Sequence, residues 1–378
     1  MIDNLRYGAD TLVDESVLRP MTDENSKSMF LPHVGKHYTD QLATMIKKKF
    51  VCGPFDTSPI PNLRINSLFA VQQSDKYRPI LNLSKPDGNN FNDAVIPSKM
   101  RKVSMSTSRQ FAETLHKTGK GSIISKLDHV SAYKLIPVKP EQYYLQGFTW
   151  LGKIFIEVRL IFGASSSVPN YDDFHQTVSD LVRVKSNTDP QFLHRTLDDQ
   201  VIVTPNFEEN RIFVETYLDL ADKINLPLAD MSGSDKAFMY QTSGTVLGVN
   251  FDTTSMSWKY NEDKRIKHMK IFNQAISSPK VTATQLFQVC GVLNTLVLMC
   301  PLLRFFRDPI LLLLTDIEKV SPIRMSSAAA NLLHFWLHVF DELKYGFPIP
   351  NPIKNPPAIV LTFVSNAAGC PDPALPLA

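Results

Sequence analysis

Cysteine is scarce in this chain. Its 378 residues hold four, Cys52, Cys290, Cys300 and Cys370, scattered and with no CxxC pair. That spacing speaks against a disulfide framework and a zinc site, and it fits a reducing compartment. Long apolar runs are missing too. The most apolar stretch, Leu286 to Leu303, is interrupted by Gln288, Asn294 and Pro301 and followed by Arg304 and Arg307. A membrane span needs about 20 apolar residues with few breaks, so a buried core helix is the better reading and no membrane partner is expected. The opening Met1-Ile2-Asp3-Asn4-Leu5-Arg6 has no apolar signal-peptide core, and the expected location is intracellular, cytoplasmic or nuclear rather than secreted. Neither sign of charge dominates: the net charge of +3 does not by itself identify a nucleic-acid binder. The basic clusters Lys47-Lys48-Lys49, Arg101-Lys102 and Lys264-Arg265-Ile266-Lys267 read as solvated faces until a fold places them.

What is present is ordinary globular material, 43% hydrophobic and 20% charged, enough for two or three subdomains at roughly 100–200 residues each. Two acidic motifs stand out. Asp198-Asp199 sits at the tip of a predicted hairpin made by Phe192–Leu197 and Gln200–Val203. Asp128 ends a predicted strand from Ser122 to Leu127. An Asp pair is also a common turn device, because Asp caps turns and tolerates unusual backbone angles. Three carboxylates brought to one point repel unless a cation neutralises them or some take up protons. Hard oxygen ligands with open positions suit Mg²⁺, and two such ions on shared carboxylates are the machinery of in-line nucleotidyl transfer.

The segments between these motifs give the organisation. Residues 1–36 are expected to be a poorly ordered lead-in, since no periodicity appears before Ser28. Leu42, Met45, Ile46 and Phe50 fall at helical spacing and Gly53-Pro54 stops that helix. Ser67–Val71 with Tyr77–Leu83, and Phe148–Ile156 around Gly152, read as hairpins. A Gly- and Ser-rich turn ending at Pro169 leads into a helix expected to bury Tyr171, Phe174, Val178, Leu181 and Val182. Asn206-Phe207-Glu208-Glu209 matches a capping box and opens a helix expected to bury Ile212, Phe213, Tyr217, Leu220 and Ile224. Thr245–Phe251 reads as one strand, and the chain is mostly helical from Arg265. Strand, helix, hairpin, helix, strand is the split βαβ order of a ferredoxin-like sheet with helices on one face. In that sheet the end of the Asp128 strand can lie beside the Asp198-Asp199 tip.

Seven segments then follow one another in a familiar order: Gly53-Pro54-Phe55 with Pro61-Asn62-Leu63-Arg64; Asn82-Leu83-Ser84-Lys85-Pro86-Asp87-Gly88 through Asp93; Leu127-Asp128-His129-Val130-Ser131-Ala132-Tyr133; Phe162-Gly163; Leu197-Asp198-Asp199; Leu247-Gly248; and Leu286 to Asn294. This order resembles reverse transcriptases of retrotransposons, most closely the DIRS type that uses a tyrosine recombinase, from about Phe50 to about Pro350. The resemblance implies an α+β right-hand polymerase with a ferredoxin-like palm sheet, β-hairpin fingers and a helical thumb-like C-terminal region. Its parts would be fingers with part of the palm at 37–120, palm at 121–262, helical thumb or connection at 263–350, and a truncated start of an RNase H-like domain at 351–378. The implied activity is RNA-directed DNA polymerase, a nucleotidyltransferase that extends a primer on an RNA or DNA template with dNTPs.

The resemblance also carries roles. Asp128, Asp198 and Asp199 would hold two Mg²⁺ ions, with Mn²⁺ as the alternative ion. The His129 carbonyl would be a further ligand, with its imidazole expected to be exposed and idle. Tyr133, five residues after Asp128, would lie under the nucleotide sugar and block a 2′-hydroxyl; its plain alternative is a sheet aromatic. Arg78, assisted by Lys76, would clamp the triphosphate with its planar fork. Lys236 would protonate the leaving pyrophosphate, or is a solvated surface lysine. Phe162 and Gly163 would grip the template, and Leu247 and Gly248 the primer.

The chain departs from the family's pattern at Gln72 and Gln73, where a lysine is common, at Ile161, where proline is common, and at Asn366, where an RNase H domain has a metal-binding Asp. No cleavage of RNA in a hybrid is therefore expected. That end of the chain reads as a fragment of a longer element or a decayed copy. The rivals to the polymerase reading are a catalytically inactive nucleic-acid-binding remnant of such an element and an unrelated metal-dependent nuclease.

Overall fold

The structure is a computed structural model, and it describes residues 2–73, 76–231, 236–278, 280–300, 303–317 and 326–349. Its centre is a four-stranded antiparallel sheet in the order Leu193–Thr196, Asp199–Thr204, Ile123–Asp128, Phe238–Gln241. Residues along these strands alternate between two cores, as the pleat requires. Leu127 and Ile202 pack with Val178, Val182, Phe213, Val214 and Tyr217 from the helices Ser167–Ser186 and Phe207–Lys223. Ile124, Val201 and Val203 pack on the other side with Phe111 and Leu115 of the helix Ser108–Thr118.

The sheet is therefore covered on both faces, not on one. The strand Asp199–Thr204 shows why: every residue after Asp199 is buried. An unbroken buried strand needs a layer on each side. The second layer, Ser108–Thr118, starts at a full capping box between Thr107 and Gln110.

Asn206 caps the helix Phe207–Lys223 by accepting the Glu209 N–H at 3.0 Å. Within the two helices, Leu181, Ile212 and Ile224 lie on the solvent side, against expectation. The expected strand Thr245–Phe251 is instead a hairpin, Ser243–Val246 with Val249–Asp252. Leu247 and Gly248 make its turn in the left-handed region, at φ 53° and 79°, a conformation in which Gly costs little. The hairpins Leu68–Gln73 with Lys76–Leu81 and Gly147–Trp150 with Lys153–Glu157 form as read.

The opening segment is not a loose lead-in among the described residues. It runs as a strap held by isolated bridges, Ala9 to Val138, Val13 to Val95 and Thr22 to Ile65. Ala9, Thr11 and Met29 are buried along it. Isolated bridges impose no period on the sequence, so the pattern search could not find them. The C-terminal part is helical, with Glu262–Ser277, Ala283–Met299, Arg304–Ile317 and Ser327–Glu342 packed around Trp336, Phe340 and Leu293. Among the described residues no helix is long and apolar enough to cross a membrane.

Candidate active site

The register of the central sheet sets Asp128 directly opposite Asp199. Thr196 pairs with Asp199 across a two-residue loop, Leu197-Asp198, so Asp198 is held at the hairpin tip. The His129 N–H donates to the Asp198 carbonyl at 2.9 Å and stitches the end of the Asp128 strand to that tip. On its other side the Asp128 carbonyl accepts the Ala229 N–H at 2.8 Å. Leu197 adopts φ 46°. A left-handed non-glycine residue is strained and must be held by its surroundings.

The three carboxylates thus lie within each other's electrostatic reach. Asp128 is pushed above its ordinary value, first by burial and then by Asp198, with Lys126 and Lys236 opposing. Asp199 is pushed up to about 6, first by burial, with Lys126 opposing and Asp128 and Asp198 adding to the rise. Lys126 Nζ stands 3.3 Å from Asp199 Oδ1. It lies two residues before Asp128 and so on the same face of the strand, a spacing visible in the sequence. Among the described residues no three Asp, Glu, His or Cys side chains form a ready-made metal cage. Asp128 and Asp199 lie in hydrogen-bond reach of each other, and Lys126 sits against Asp199. The donor chemistry, three hard carboxylates joined by the His129 carbonyl, still fits Mg²⁺.

The raised pKa of Asp199 predicts a pH effect. An acid whose folded pKa lies above its unfolded value binds more protons folded than unfolded between the two values. The protonated form favours folding below the unfolded pKa, and that advantage is lost as pH rises from about 4 through about 6. With divalent ions chelated, Asp199→Asn should gain stability over the wild type across that window, by up to about 3 kcal/mol. Denaturant unfolding at several pH values reads this. A constant offset between the two proteins would mean that Asp199 does not titrate there.

The other site residues fall into separate groups. Tyr133 is buried and packs edge-on against Phe162 and Tyr171, with ring centroids at 4.8 and 5.6 Å. Phe162 is exposed, and Gly163 takes φ 97°. Asn92 pins their turn: its Nδ2 donates to the Gly163 carbonyl at 2.8 Å and its Oδ1 accepts the Ser165 N–H at 2.9 Å. Asn92 lies in the Asn82–Asp93 segment, far in sequence from the turn it holds. Arg78 and Lys76 stand on the separate two-stranded sheet, where Arg78 pairs with Val71 and is exposed.

Lys236 precedes the strand Phe238–Gln241 and is near enough to act on Asp128. Lys264, from the first turn of Glu262–Ser277, lays its ammonium over Gly248, where a Cβ would collide with it. Burial first, then Lys126 and Lys267, lower its pKa, with Asp199 opposing. The His129 imidazole is neither exposed nor idle: it is 2% exposed and bonded at both nitrogens. Asn366, on which the RNase H expectation rests, lies outside the described residues.

No protein-family model and no curated protein matches this chain. Solved structures do. A foamy viral protease-reverse transcriptase in complex with double-stranded DNA superposes with a TM-score of 0.62 at 16% identity, over 89% of this chain and 51% of that one. The foamy viral protease-reverse transcriptase with an RNA/DNA hybrid gives 0.62 at 15% identity, over 90% and 40%. A further double-stranded DNA complex gives 0.59 at 15%, over 90% and 62%. The chain has a reverse-transcriptase-like fold. It spans less than two thirds of each of these neighbours.

Proposed function

We propose that this chain is the polymerase region of a retroelement reverse transcriptase, of the DIRS type that its motifs resemble. It would extend a primer 3′-hydroxyl with dNTPs on an RNA or DNA template. The observation that carries the reading is the pairing of Asp128 with Asp199, with Asp198 stitched to the same point through the His129 N–H. On this reading the hairpin Leu68–Leu81 and its surroundings are the fingers, the central sheet the palm and the helices after Glu262 the thumb.

Asp128, Asp198, Asp199 and the His129 carbonyl would hold two Mg²⁺ ions. Bound there, the ions supply a lowered pKa at the primer hydroxyl and neutralise charge at the transferring phosphorus. The chain's own groups do the rest. Tyr133 and Phe162 bound the space for the sugar and the template base, and Arg78 would clamp the triphosphate with its planar fork. The hydroxyl oxygen bonds to the α-phosphorus as the bond to pyrophosphate breaks. The hydroxyl proton leaves to solvent, and Lys236 gives a proton to the leaving pyrophosphate. Lys264 over Gly248 would offer positive charge to the primer backbone.

The deciding experiment is extension of a primed homopolymer RNA by purified protein with dNTPs and Mg²⁺. Affinity for the same primed template should fall steeply with salt, by about 0.9 log units per log unit of salt for each phosphate contacted. Titration of a labelled primer–template at several salt concentrations measures the slope. A flat response would remove nucleic acid as the partner. Salt-sensitive binding without extension under any condition would favour the inactive remnant.

A further inference from the structure

Beneath the Leu197-Asp198 loop lies a buried polar cluster that none of the roles above uses. His129 and His175 are 2% and 0% exposed. Their ring centroids are 4.3 Å apart. His129 Nδ1 meets the Tyr171 hydroxyl at 2.5 Å and its Nε2 meets the Tyr217 hydroxyl at 2.6 Å. Tyr171 in turn packs edge-on against Tyr133. His175 Nδ1 contacts the Leu197 carbonyl oxygen. The Gln200 side chain also acts on the ring, and its Oε1, like His175 Nε2, is buried without a hydrogen bond of ordinary geometry.

The chemistry of these contacts fixes the tautomer. A carbonyl only accepts, so Nδ1 of His175 carries the hydrogen. Leu197 is a non-glycine residue held left-handed in a two-residue loop, and the sheet ladder ends at the Thr196–Asp199 pair. Nothing in that ladder fixes the Leu197 peptide. His175 reaches it from the helix Ser167–Ser186.

We propose that His175 is a positioning residue for the carboxylate turn. Its Nδ1–H holds the Leu197 carbonyl and so aims Asp198 and Asp199 at the end of the Asp128 strand. His129, clamped between Tyr171 and Tyr217, braces the His175 ring and links that turn to Tyr133. The positioning claim stands on geometry alone; its consequence for catalysis rests on the polymerase reading.

Asparagine reproduces the Nδ1 donor of histidine, glutamine places its amide where Nε2 was, and leucine fills the volume with no donor. His175→Leu should speed amide exchange at Leu197 to Gln200 by roughly tenfold or more, with the rest of the strands Leu193–Thr196 and Asp199–Thr204 unchanged. His175→Asn should restore protection. In primer extension, His175→Leu should lower kcat by about ten- to a hundredfold with little change in KM for the primer–template, and His175→Asn should recover most of it. Should His175→Leu fail to fold, His175→Gln against His175→Asn makes the same comparison between two amides.

Unchanged exchange at the tip, or loosening spread evenly over the sheet in both variants, would overturn the proposal and leave His175 a core residue. A wild type that extends no primer, with tip exchange responding as described, would sink the polymerase reading and leave the positioning role standing.

Discussion

Asp198→Asn or Asp128→Asn should abolish Mg²⁺-dependent primer extension, with a loss of roughly 10³–10⁴-fold. The substitution keeps shape and removes charge. A neutral amide binds a hard cation far less well than a carboxylate, and on the proposed reading three carboxylates are shared between two ions. The backbone bond from the His129 N–H to the Asp198 carbonyl does not involve the side chain, so the turn should persist. Asp128 is raised by burial and by Asp198. Removing Asp198's charge therefore relieves repulsion, and the variant should melt no lower than the wild type. Binding of primer–template should stay within about twofold, since on the proposed reading lysines and arginines, not these carboxylates, meet the phosphates. Extension rate, melting and binding measured together separate these effects. If the variants keep wild-type extension, the carboxylates are turn residues and the reading fails.

Tyr133→Val should shift the ratio of efficiencies for dNTP and rNTP by about ten- to a hundredfold toward the ribonucleotide. Tyr133 is held from two sides, by Phe162 and by Tyr171; on the proposed reading its ring fills the space that a 2′-hydroxyl would need. Valine shortens the side chain and opens that space. The ratio is the readout, because a general loss of packing would lower both rates together. An unchanged ratio would return Tyr133 to the rank of a core aromatic, for which its burial also qualifies it.

Much of this site was legible in the sequence because local chemistry wrote it there. Alternation placed Asp128 at a strand end, and the Asp198-Asp199 pair between two apolar runs announced a hairpin tip. The capping residues Asn206 and Glu209 marked a helix start, and Leu286–Leu303 proved to lie largely in a core helix. Each is a short-range rule, satisfied by neighbours a few residues away.

Tertiary structure alone decided the rest. That Asp128 faces Asp199, and no other residue of its strand, depends on sheet register between segments some 70 residues apart, which no local period encodes. His129 was expected to be exposed because it follows a strand end; only the arrival of Tyr171 and Tyr217 from two distant helices buries it. The strap before Leu31 shows no pattern because single bridges, not repeats, hold it. Leu247-Gly248 became a turn because two positive φ angles folded one expected strand into two. Sequence by itself determined which carboxylates were available and where the strand of Asp128, the hairpin of Asp198-Asp199 and the helices beside them would form. Long-range pairing, which only burial on both faces of the sheet enforces, decided that those carboxylates meet and that a buried histidine stands behind them.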